Sequence, residues 1–422
     1  MGDVEGELHA WLEANWDPGL TLRAWWARLA ESGWSHPGWP VEWYGKGLPD
    51  AEALAASRAV RDFGAVTGPT GFGAGMAGPT VLAHGTDDQR RRHLPGIVTG
   101  ADAFCQLFSE PNAGSDLAGL QTRAERDVDE WVVNGQKVWT SAGQIADKAM
   151  LVARTDVDVP KHAGISYFFI DVRQPGIEIR PLREMTGRQY FNEVFLTDAR
   201  VADADLIGGA GNGWTVANTT LAFERALSGG GNVGNSARPG SIAGDLDRPA
   251  GSFATAAIGG DDPAPSLTPG MQLVDLARRT GRTGDPFVRD GLVRLRTLEL
   301  LNGLTAERGR GLRAAGGDLP GLPNLSKMAQ NHAVRLARDL TYRILGPTAT
   351  LHGYDPVAVA ELEIATGIEG LGGFLETALF AAGPPIFGGS DQIQRNIVGE
   401  RVLGLPREAS SDRTTPFKDL PR

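Results

Sequence analysis

A block of short β-type runs in the middle of the chain limits the possible folds more than any other feature. Four of these runs are Ala149–Ala153, Ile165–Asp171, Ile177–Arg180 and Glu193–Leu196. A further pattern, Glu130–Trp139 with Asn134–Gly135 at its centre, predicts a hairpin with a type I′ turn. Because no helical periodicity separates the runs, they predict a small antiparallel barrel or sandwich.

Helical periodicity lies on both sides of this block. Before it, apolar residues at helix spacing predict helices at Leu8–Leu12, Leu22–Leu29, Asp50–Phe63 and from Thr86 onward. After it, the same spacing predicts helices at Trp214–Ala226, Phe287–Arg310 and Leu325–Leu345. This order predicts an α+β fold with an N-terminal helical domain (residues 1–100), a central β-domain (101–210), a C-terminal helical domain (211–410) and a tail (411–422).

One segment of the predicted C-terminal domain differs from the rest. Residues 228–270 are rich in Gly, Ala, Ser, Pro and Asp, lack periodicity and contain few large apolar residues. Such a composition buries too little apolar surface to offset the conformational entropy that ordering costs. We therefore predict that this segment is mostly loop or disordered.

The charge balance and the single cysteine exclude several classes of function. With 41 Lys and Arg against 51 Asp and Glu, the formal net charge of -10 argues against nucleic acid as a partner, although local Arg clusters can still hold an anionic cofactor. Cys105 alone can form neither an intrachain disulfide nor a cysteine metal cluster, which fits a reducing cytoplasm. We expect no membrane helix, no signal peptide and no metal site.

Two polar segments stand out against this background. Phe108–Leu120, FSEPNAGSDLAGL, follows the apolar run Ala103–Cys105 and has the composition of a loop that closes a strand. On composition alone it predicts only a cluster of turns. Ile386–Glu408, IFGGSDQIQRNIVGERVLGLPRE, contains a polar stretch that indicates a helix start. In this order, the two segments resemble the signature segments of the acyl-CoA dehydrogenases.

This resemblance implies a fold, a cofactor and a set of site residues. It implies a helical N-terminal domain, a central antiparallel β-barrel and a C-terminal helical bundle, with FAD as cofactor and an acyl-CoA as substrate. The family's flavin contacts fall here on Phe108, Ser109, Trp139, Ser141, Arg282, Ser390 and Gln392. Its acyl-CoA contacts fall on Ser115 and Arg225. From the residues alone, Trp139 could equally be a core tryptophan beside a turn, and Ser390 could serve only as a helix cap.

The position of the catalytic carboxylate departs from the family's commonest pattern. Many members place their catalytic Glu at the position that Gly388 occupies here. A branch similar to isovaleryl-CoA dehydrogenase instead carries it in Leu-x-x-Glu-Arg on a helix after the β-domain, which Leu221–Arg225 matches. The resemblance therefore implies that Glu224 is the general base. A Glu-Arg pair on a helix is otherwise usually a solvated pair.

The family's FAD-binding segments are only partly recognisable. Gly281–Phe287 is the nearest match to an Arg-x-x-Phe segment, and Leu345–Tyr354 stands where the family has Gln-x-x-Gly-Gly-x-Gly. This departure raises the possibility that a different, complementary subunit completes the FAD site. The resemblance accordingly implies a homo- or hetero-oligomer, either a dimer or a tetramer.

The implied reaction is FAD-dependent α,β-dehydrogenation of an acyl-CoA to the trans-2-enoyl-CoA. Electron-transfer flavoprotein is the expected electron acceptor, and neither a membrane nor nucleic acid is an expected partner. Two alternatives stay open, an acyl-CoA oxidase that uses O₂ and a non-catalytic partner subunit. Glu224 argues for an enzyme, whereas the altered FAD segments argue for a partner subunit.

Overall fold

The computed structural model of the chain describes residues 4–228, 235–242, 244–254, 270–317, 319–408 and 412–420. It divides into two compact units. The first comprises Met1–Leu182, Tyr190–Asp262 and Ser410–Arg422, and the second comprises Arg183–Gln189 and Pro263–Ala409.

The first unit begins with five helices. They are α1 (Val4–Asn15), α2 (Leu22–Glu31), α3 (Asp50–Asp62), α4 (Gly78–His84) and α5 (Asp87–Val98). The predicted helix start at Thr86 is confirmed, because Thr86 and Gln89 form a reciprocal capping box. Apolar spacing on α1 and α2 buries Leu8, Leu12 and Trp25 in one core.

The middle of the chain forms one eight-stranded sheet. Its strands are β1 (Phe104–Leu107), β2 (Arg123–Asp127), β3 (Glu130–Ser141), β4 (Lys148–Arg154), β5 (Ile165–Asp171), β6 (Ile177–Pro181), β7 (Phe191–Ala202) and β8 (Leu206–Ile207). The order is β6-β7-β3-β2-β4-β5-β8, with β1 paired to β4. Most pairs are antiparallel, but β1 and β2 run parallel to β4. The four predicted runs after β3 all lie within strands.

The predicted barrel is not confirmed, because the sheet does not close on itself within the described residues. A single residue pair, Arg123 with Arg154, joins β2 to β4. The apolar faces of the strands on either side of this junction share one core, in which Leu151 of β4 and Val194 of β7 are both fully buried. Closure depends on pairing between strands that are distant in sequence, and periodicity carries no information about it.

Strand β4 is apolar on both faces, so it separates two cores. Ala149 and Leu151 face the core shared with β3 and β7. Met150 and Val152 face the opposite core, which contains residues of α4 and of α6 (Gly213–Ser228). Side chains alternate between the faces of a strand, and this strand buries both.

The predicted hairpin at Asn134–Gly135 is wrong. Residues Glu130–Ser141 form one continuous strand, and the tight turn lies earlier, where Val128 has φ 60° between β2 and β3. Asn134 and Gly135 instead lie where the register of β3 against β7 shifts. The Asn134 amide exchanges hydrogen bonds with the side chain and backbone of Asp198 across the shift. The dipeptide therefore lies opposite a bulge of β7, where Asp198 has φ 52°, rather than in a turn.

Residues 235–242 and 244–254, the described parts of the segment 228–270, are mostly loop as predicted, but they are packed rather than disordered. Leu246, Ala250 and Phe253 are buried against the N-terminal helices, and Phe253 belongs to the short helix α7 (Gly251–Ala254). The carbonyls of Leu246 and Arg248 accept hydrogen bonds from the α2 backbone. A few apolar residues that are dispersed in sequence are therefore enough to pack this loop against the N-terminal helices. Residues 229–234, 243 and 255–269 lie outside the described residues.

The second unit is helical. Its helices are α8 (Gly270–Arg279), α9 (Pro286–Ala314), α10 (Leu322–Leu345), α11 (Pro356–Thr366), α12 (Leu371–Phe380) and α13 (Asp391–Ile397). Leu295, Leu340 and Leu375, from α9, α10 and α12, are buried together. The two long helices α9 and α10 were both predicted from their periodicity. Among the described helices, none is both long and apolar enough to span a bilayer.

Candidate active site

Glu110 closes the loop that follows β1. Its carboxylate accepts hydrogen bonds from the backbone N–H groups of Gln121 at 2.6 Å and Thr122 at 2.9 Å, so the start of the loop holds its end. The Lys137 ammonium of β3 donates to Glu110 at 2.8 Å and to the Phe108 carbonyl at 3.1 Å. Burial alone would raise the pKa of Glu110, but Lys137 and the hydrogen bonds outweigh it and the pKa is lowered. Burial lowers the pKa of Lys137.

Two further cations fix the middle of this loop. The buried Arg154 guanidinium of β4 donates to the carbonyls of Ala118 at 2.6 Å and Leu120 at 3.2 Å. Burial lowers the pKa of Arg154 to about 10. The Lys161 ammonium donates to both carboxylate oxygens of Asp116 at 3.0 Å. The loop is therefore held in one conformation by side chains from three places in the sequence.

The expected flavin-contacting residues of the first unit lie on adjacent segments. The Val138 N–H donates to the Ser109 carbonyl at 2.9 Å, which places β3 beside the loop. Phe108 is buried in the core, whereas Ser109 and Ser141 keep part of their surface exposed. Ser141 pairs with Phe191 in the sheet.

Trp139 is presented outward by a β-bulge. The register of β3 against β7 shifts between Lys137 and Thr140, and Trp139 lies within the shift with φ 61°. Its side chain is 60% exposed, and its ring meets Phe191 edge to face at 6.0 Å. A left-handed conformation is uncommon for a bulky residue and often marks a functional position. The alternative reading of Trp139 as a core tryptophan is wrong.

Glu224 lies on the face of α6 that packs against the sheet. Val216, Ala217 and Thr220 of this helix are buried, and helical periodicity puts Glu224 on the same face. The Gln106 amide of β1 donates to the Glu224 carboxylate at 3.3 Å. Because side chains alternate along a strand, Gln106 shares its face of β1 with Phe104, and the Phe108 side chain lies in the same core. Because Gln106 lies just before the loop Phe108–Leu120, this contact places Glu224 close to the start of that loop.

The remaining expected site residues are distributed between the two units. Ser115 is an exposed residue of the loop, and Arg225 follows Glu224 on α6 about 100° further around the helix. In the second unit, Ser390 caps α13 by accepting a hydrogen bond from the Ile393 N–H at 3.4 Å, and Gln392 is exposed on its first turn. Arg282 is exposed on a short 3₁₀ turn before α9.

The residues of the first unit suit a flavin chemically. A flavin ring needs an apolar wall together with hydrogen-bonding groups near its reactive edge. The exposed Trp139 ring offers the wall, and the partly exposed hydroxyls of Ser109 and Ser141 offer the polar groups.

The glycines Gly388 and Gly389, with φ 62° and 83°, require a left-handed backbone that a Glu at position 388 would adopt only with strain.

Sequence reasoning missed Gln106, Glu110, Lys137 and Arg154. A signal existed for Gln106, because it is the polar residue in the otherwise apolar run of β1. Lys137 is fully buried in a strand, and nothing in its local sequence pairs it with Glu110, 27 residues away. Long-range ion pairs of this kind do not leave a local pattern.

Comparison with protein families covers the first half of the chain. Residues 4–101 match the family model described as the acyl-CoA dehydrogenase N-terminal domain. Residues 105–199 match the acyl-CoA dehydrogenase middle domain. These ranges correspond to the five N-terminal helices and to most of the sheet.

Similar proteins extend the likeness over nearly the whole chain. Acyl-CoA dehydrogenase IpdE1 of Mycobacterium tuberculosis is 39% identical over 392 residues, which cover 92% of this chain and 89% of that protein. IpdE1 of Mycolicibacterium smegmatis is 37% identical over 406 residues, covering 92% and 88%. Among solved structures, the ChsE4–ChsE5 complex from Mycobacterium tuberculosis contains a chain that is 25% identical, with a TM-score of 0.64 over 96% of this chain and 97% of that chain. The protein therefore belongs to the acyl-CoA dehydrogenase family of flavoprotein oxidoreductases.

Proposed function

We propose that the protein catalyses FAD-dependent α,β-dehydrogenation of an acyl-CoA thioester to the trans-2-enoyl-CoA, with Glu224 as the general base. The observation that carries this proposal is the position of Glu224 on the sheet-facing side of α6, 3.3 Å from Gln106 of the strand that leads into the loop. Membership of the family supports the reaction class, and the geometry supports the choice of base.

Each residue has a part in the proposed reaction. The thioester carbonyl makes the α-hydrogen acidic, and Glu224 removes it as a proton. When bound, the flavin supplies the acceptor for the hydride that leaves the β-carbon. Leu221 and Phe223, which pack partly buried against the core beside Glu224, reduce the access of water to the carboxylate. Gln106 orients that carboxylate through its amide hydrogen bond.

The other expected residues hold the two ligands in this proposal. Phe108, Ser109, Trp139 and Ser141 of the first unit are the proposed flavin contacts. Arg282, Ser390 and Gln392 are the proposed FAD contacts of the second unit, toward the FAD of the same chain or of a neighbouring subunit. Ser115 and Arg225 contact the acyl-CoA. Ser390 also caps α13, so its hydroxyl serves both the cap and the proposed FAD contact, and the exposed Gln392 lies beside it.

The proposed enzyme works as an oligomer and passes electrons to electron-transfer flavoprotein. Val293, Leu300, Leu301 and Leu304 recur along one side of α9 and are each at least half exposed. An exposed apolar stripe of this kind usually marks a protein interface. The similar chain in the ChsE4–ChsE5 structure comes from a complex of two different proteins, which supports a hetero-oligomer, whereas the apolar stripe fits either a hetero- or a homo-oligomer.

Replacing Glu224 by Gln tests the proposed base, because it keeps the volume and removes the basicity. We expect the FAD-loaded variant to bind CoA normally, while anaerobic flavin reduction by an acyl-CoA slows by about 10²-fold or more, the scale of a lost general base. Stopped-flow absorbance of the flavin measures the rate. Glu125→Gln, which alters an exposed carboxylate of β2, is the control and should reduce at the unaltered rate.

Reduction of the Glu224→Gln variant at the rate of the unaltered chain would contradict this assignment. Formation of hydrogen peroxide in air, in step with product, would identify an oxidase instead. A chain that binds CoA but is never reduced by any acyl-CoA would be a non-catalytic partner subunit.

A further inference from the structure

Three buried hydroxyl groups meet where α6 packs on the sheet. Thr80 of α4, Tyr167 of β5 and Thr220 of α6 are all fully buried. The Thr220 hydroxyl lies 2.9 Å from the Thr80 hydroxyl and 3.1 Å from the Tyr167 hydroxyl. It also lies 3.1 Å from the Val216 carbonyl, one turn earlier on its own helix. We call Thr80, Tyr167 and Thr220 the hydroxyl cluster.

The members of the hydroxyl cluster satisfy one another inside an apolar core. Each hydroxyl has one donor and two acceptor sites, so three hydroxyls and one carbonyl can pair every proton. The same core contains Val152, Phe169 and Val216. Burial raises the pKa of Tyr167, so its phenol stays protonated and can donate. Because an unpaired hydroxyl would be costly in this core, the cluster acts as a directional contact among packing contacts that have no direction.

A second polar contact joins α4 to α6 beside the cluster. Thr80 and His84 lie one turn apart on α4 and face consecutive residues of α6. The His84 Nε2 lies 2.8 Å from the Thr219 hydroxyl, next to the bond between Thr80 and Thr220. Burial lowers the pKa of His84, so the imidazole is neutral at neutral pH. This turn of α6 is therefore held by α4 at two points and by the sheet at a third.

Glu224 lies one turn after the hydroxyl cluster. Thr220 and Glu224 are four residues apart on α6, so their side chains project from the same face of the helix and are separated by about 6 Å along its axis. Rotation of the helix about its axis would therefore move both side chains together. A contact that fixes Thr220 consequently limits where the Glu224 carboxylate can lie.

The sheet offers α6 one attachment on β5 and another on β1. Strand β4 pairs with both, with Met150 opposite Gln106 of β1 and Val152 opposite Tyr167 of β5. Because Met150 and Val152 share one face of β4, Gln106 and Tyr167 project from the same face of the sheet. Helix α6 bonds to Tyr167 through the hydroxyl cluster and to Gln106 through Glu224. The two attachments are one helical turn apart.

We propose that the hydroxyl cluster positions Glu224 for proton abstraction by fixing the rotation of α6 on the sheet. The inference rests on the proposed function, because Glu224 is the base that it names. Reacting groups must be closely aligned, and a displacement of about 1 Å can cost about 10²-fold in rate. The apolar contacts of Val216 and Ala217 allow small rotations of the helix, whereas hydrogen bonds of the Thr220 hydroxyl oppose them. The cluster is fully buried and acts through Glu224, so its members are positioning residues.

Replacing Thr220 by Val tests this role, because it removes the hydroxyl and keeps the shape of the side chain. The substrate is the member of an acyl-CoA panel that reduces the FAD-loaded, unaltered chain fastest. We expect anaerobic flavin reduction in Thr220→Val to slow by about tenfold or more, while the Kd of that acyl-CoA stays unaltered. Tyr167→Phe should have the same effect, and Thr220→Ser, which keeps a hydroxyl, should recover most of the rate.

Thr341→Val is the matched control. Thr341 is also a buried helical threonine, and its hydroxyl donates to the Ala337 carbonyl of its own helix, α10, at 2.8 Å. The control variant should reduce its flavin at the unaltered rate. Hydrogen exchange measured by mass spectrometry gives a readout that does not depend on the reaction. Thr220→Val should raise exchange over residues 213–228, and Thr341→Val should not.

A double variant shows whether the cluster acts through the base. Once Glu224 is replaced, a positioning group has no base left to position. We therefore expect flavin reduction in the variant that combines Thr220→Val with Glu224→Gln to be as fast as in Glu224→Gln alone. A further loss of rate in the double variant would overturn the proposal, because the cluster would then act on another part of the site.

The single variants also separate this proposal from the proposed function. Reduction of Thr220→Val at the unaltered rate would overturn the positioning role and leave Glu224 as the base. If Thr220→Val does not fold or does not hold FAD, Tyr167→Phe, which keeps the ring, decides in the same way. Reduction of the unaltered chain by no acyl-CoA would overturn both the positioning role and the proposed function.

Discussion

Trp139 holds an uncommon backbone conformation at the edge of the sheet. Its φ of 61° lies in the left-handed region, which costs an ordinary residue roughly 1–2 kcal/mol. Its ring makes one aromatic contact and stays 60% exposed, so packing recovers little of this strain. The bulge that holds Trp139 therefore keeps an aromatic surface available at some expense to stability, which is what a binding wall for a flavin requires.

Replacing Trp139 by Gly or Ala separates strain from function. Glycine adopts φ 61° freely, so we expect Trp139→Gly to be more stable than Trp139→Ala by about 1 kcal/mol in urea unfolding. Both variants should bind FAD more weakly, because both lose the ring. Equal stability of the two variants would show that position 139 carries no strain, and unchanged FAD affinity would remove Trp139 from the proposed site.

Local pattern accounts for the position of a side chain on a regular helix, whereas the role of Glu224 as general base stays a prediction. The position of Glu224 on the buried face of α6 follows from helical periodicity, and the sequence Leu221–Arg225 already marked it. The outward exposure of Trp139 does not follow in this way. It depends on a register shift between β3 and β7, which are separated by 50 residues or more in sequence.

The ion pair between Glu110 and Lys137 connects two elements, β3 and the loop after β1. Both side chains are buried, with exposures of 6% and 0%. Removing one partner of such a pair leaves the other charge buried without compensation, which usually costs 3–5 kcal/mol by an order-of-magnitude estimate, whereas removing both can be nearly neutral. The pair therefore fixes the loop conformation rather than adding much net stability.

A double replacement tests this role. We expect Lys137→Met to lower the free energy of unfolding by about 3 kcal/mol and to weaken CoA binding, because Glu110 then loses its cation. Adding Glu110→Gln should restore most of the stability in urea unfolding. Additive losses in the double variant would contradict the pairing. Lys148→Met, which breaks a partly exposed pair with Asp102, is the control and should cost less than 1 kcal/mol.

The predicted hairpin at Asn134–Gly135 failed because of how whole strands pair. Asn-Gly is the strongest short-range signal for a tight turn, but the signal assumes that the flanking runs pair with each other. Here both runs pair with β7 instead, and Asn134 bonds to Asp198 of that strand. Which strand a run pairs with is a tertiary choice, and it overrode the local preference.

Stability of the whole chain should depend on pH through His36. Its pKa is lowered from 6.5 to about 4, chiefly by burial, with a backbone hydrogen bond to Pro69 opposing. Below pH 6.5 His36 is protonated in the unfolded chain, but in the folded chain it stays neutral until about pH 4. The free energy of unfolding therefore falls as the pH drops from 6.5 to about 4, and it levels off below that pH. The loss is up to about 3 kcal/mol, an upper bound because the ring keeps some contact with solvent.

Comparing His36→Gln with the unaltered chain isolates this effect. We expect the variant to lose less stability than the unaltered chain between pH 7 and pH 5 in urea unfolding, because glutamine does not titrate. His9→Gln, which alters an exposed histidine of α1, should keep the original pH dependence. A parallel pH dependence of His36→Gln and the unaltered chain would exclude His36 as the source.

At the level of the whole chain, periodicity predicted the order of helices, strands and helices correctly. It could not predict that the sheet stays open, because closure depends on which distant strands meet. It also could not predict that the described residues 235–242 and 244–254 pack on the N-terminal helices. That contact depends on Leu246, Ala250 and Phe253 meeting a surface that lies far earlier in the chain.

The central claim is that this chain oxidises acyl-CoA thioesters with FAD. Its most direct test is anaerobic mixing of the purified, FAD-loaded protein with a panel of acyl-CoAs, while the flavin absorbance is recorded and the thioester products are identified by mass spectrometry. We expect at least one acyl-CoA to reduce the flavin, with loss of its absorbance, and to yield one trans-2-enoyl-CoA per flavin reduced. A protein that binds FAD and CoA, yet is bleached by no member of a panel that includes short, branched, long and steroid-like acyl groups, would contradict it.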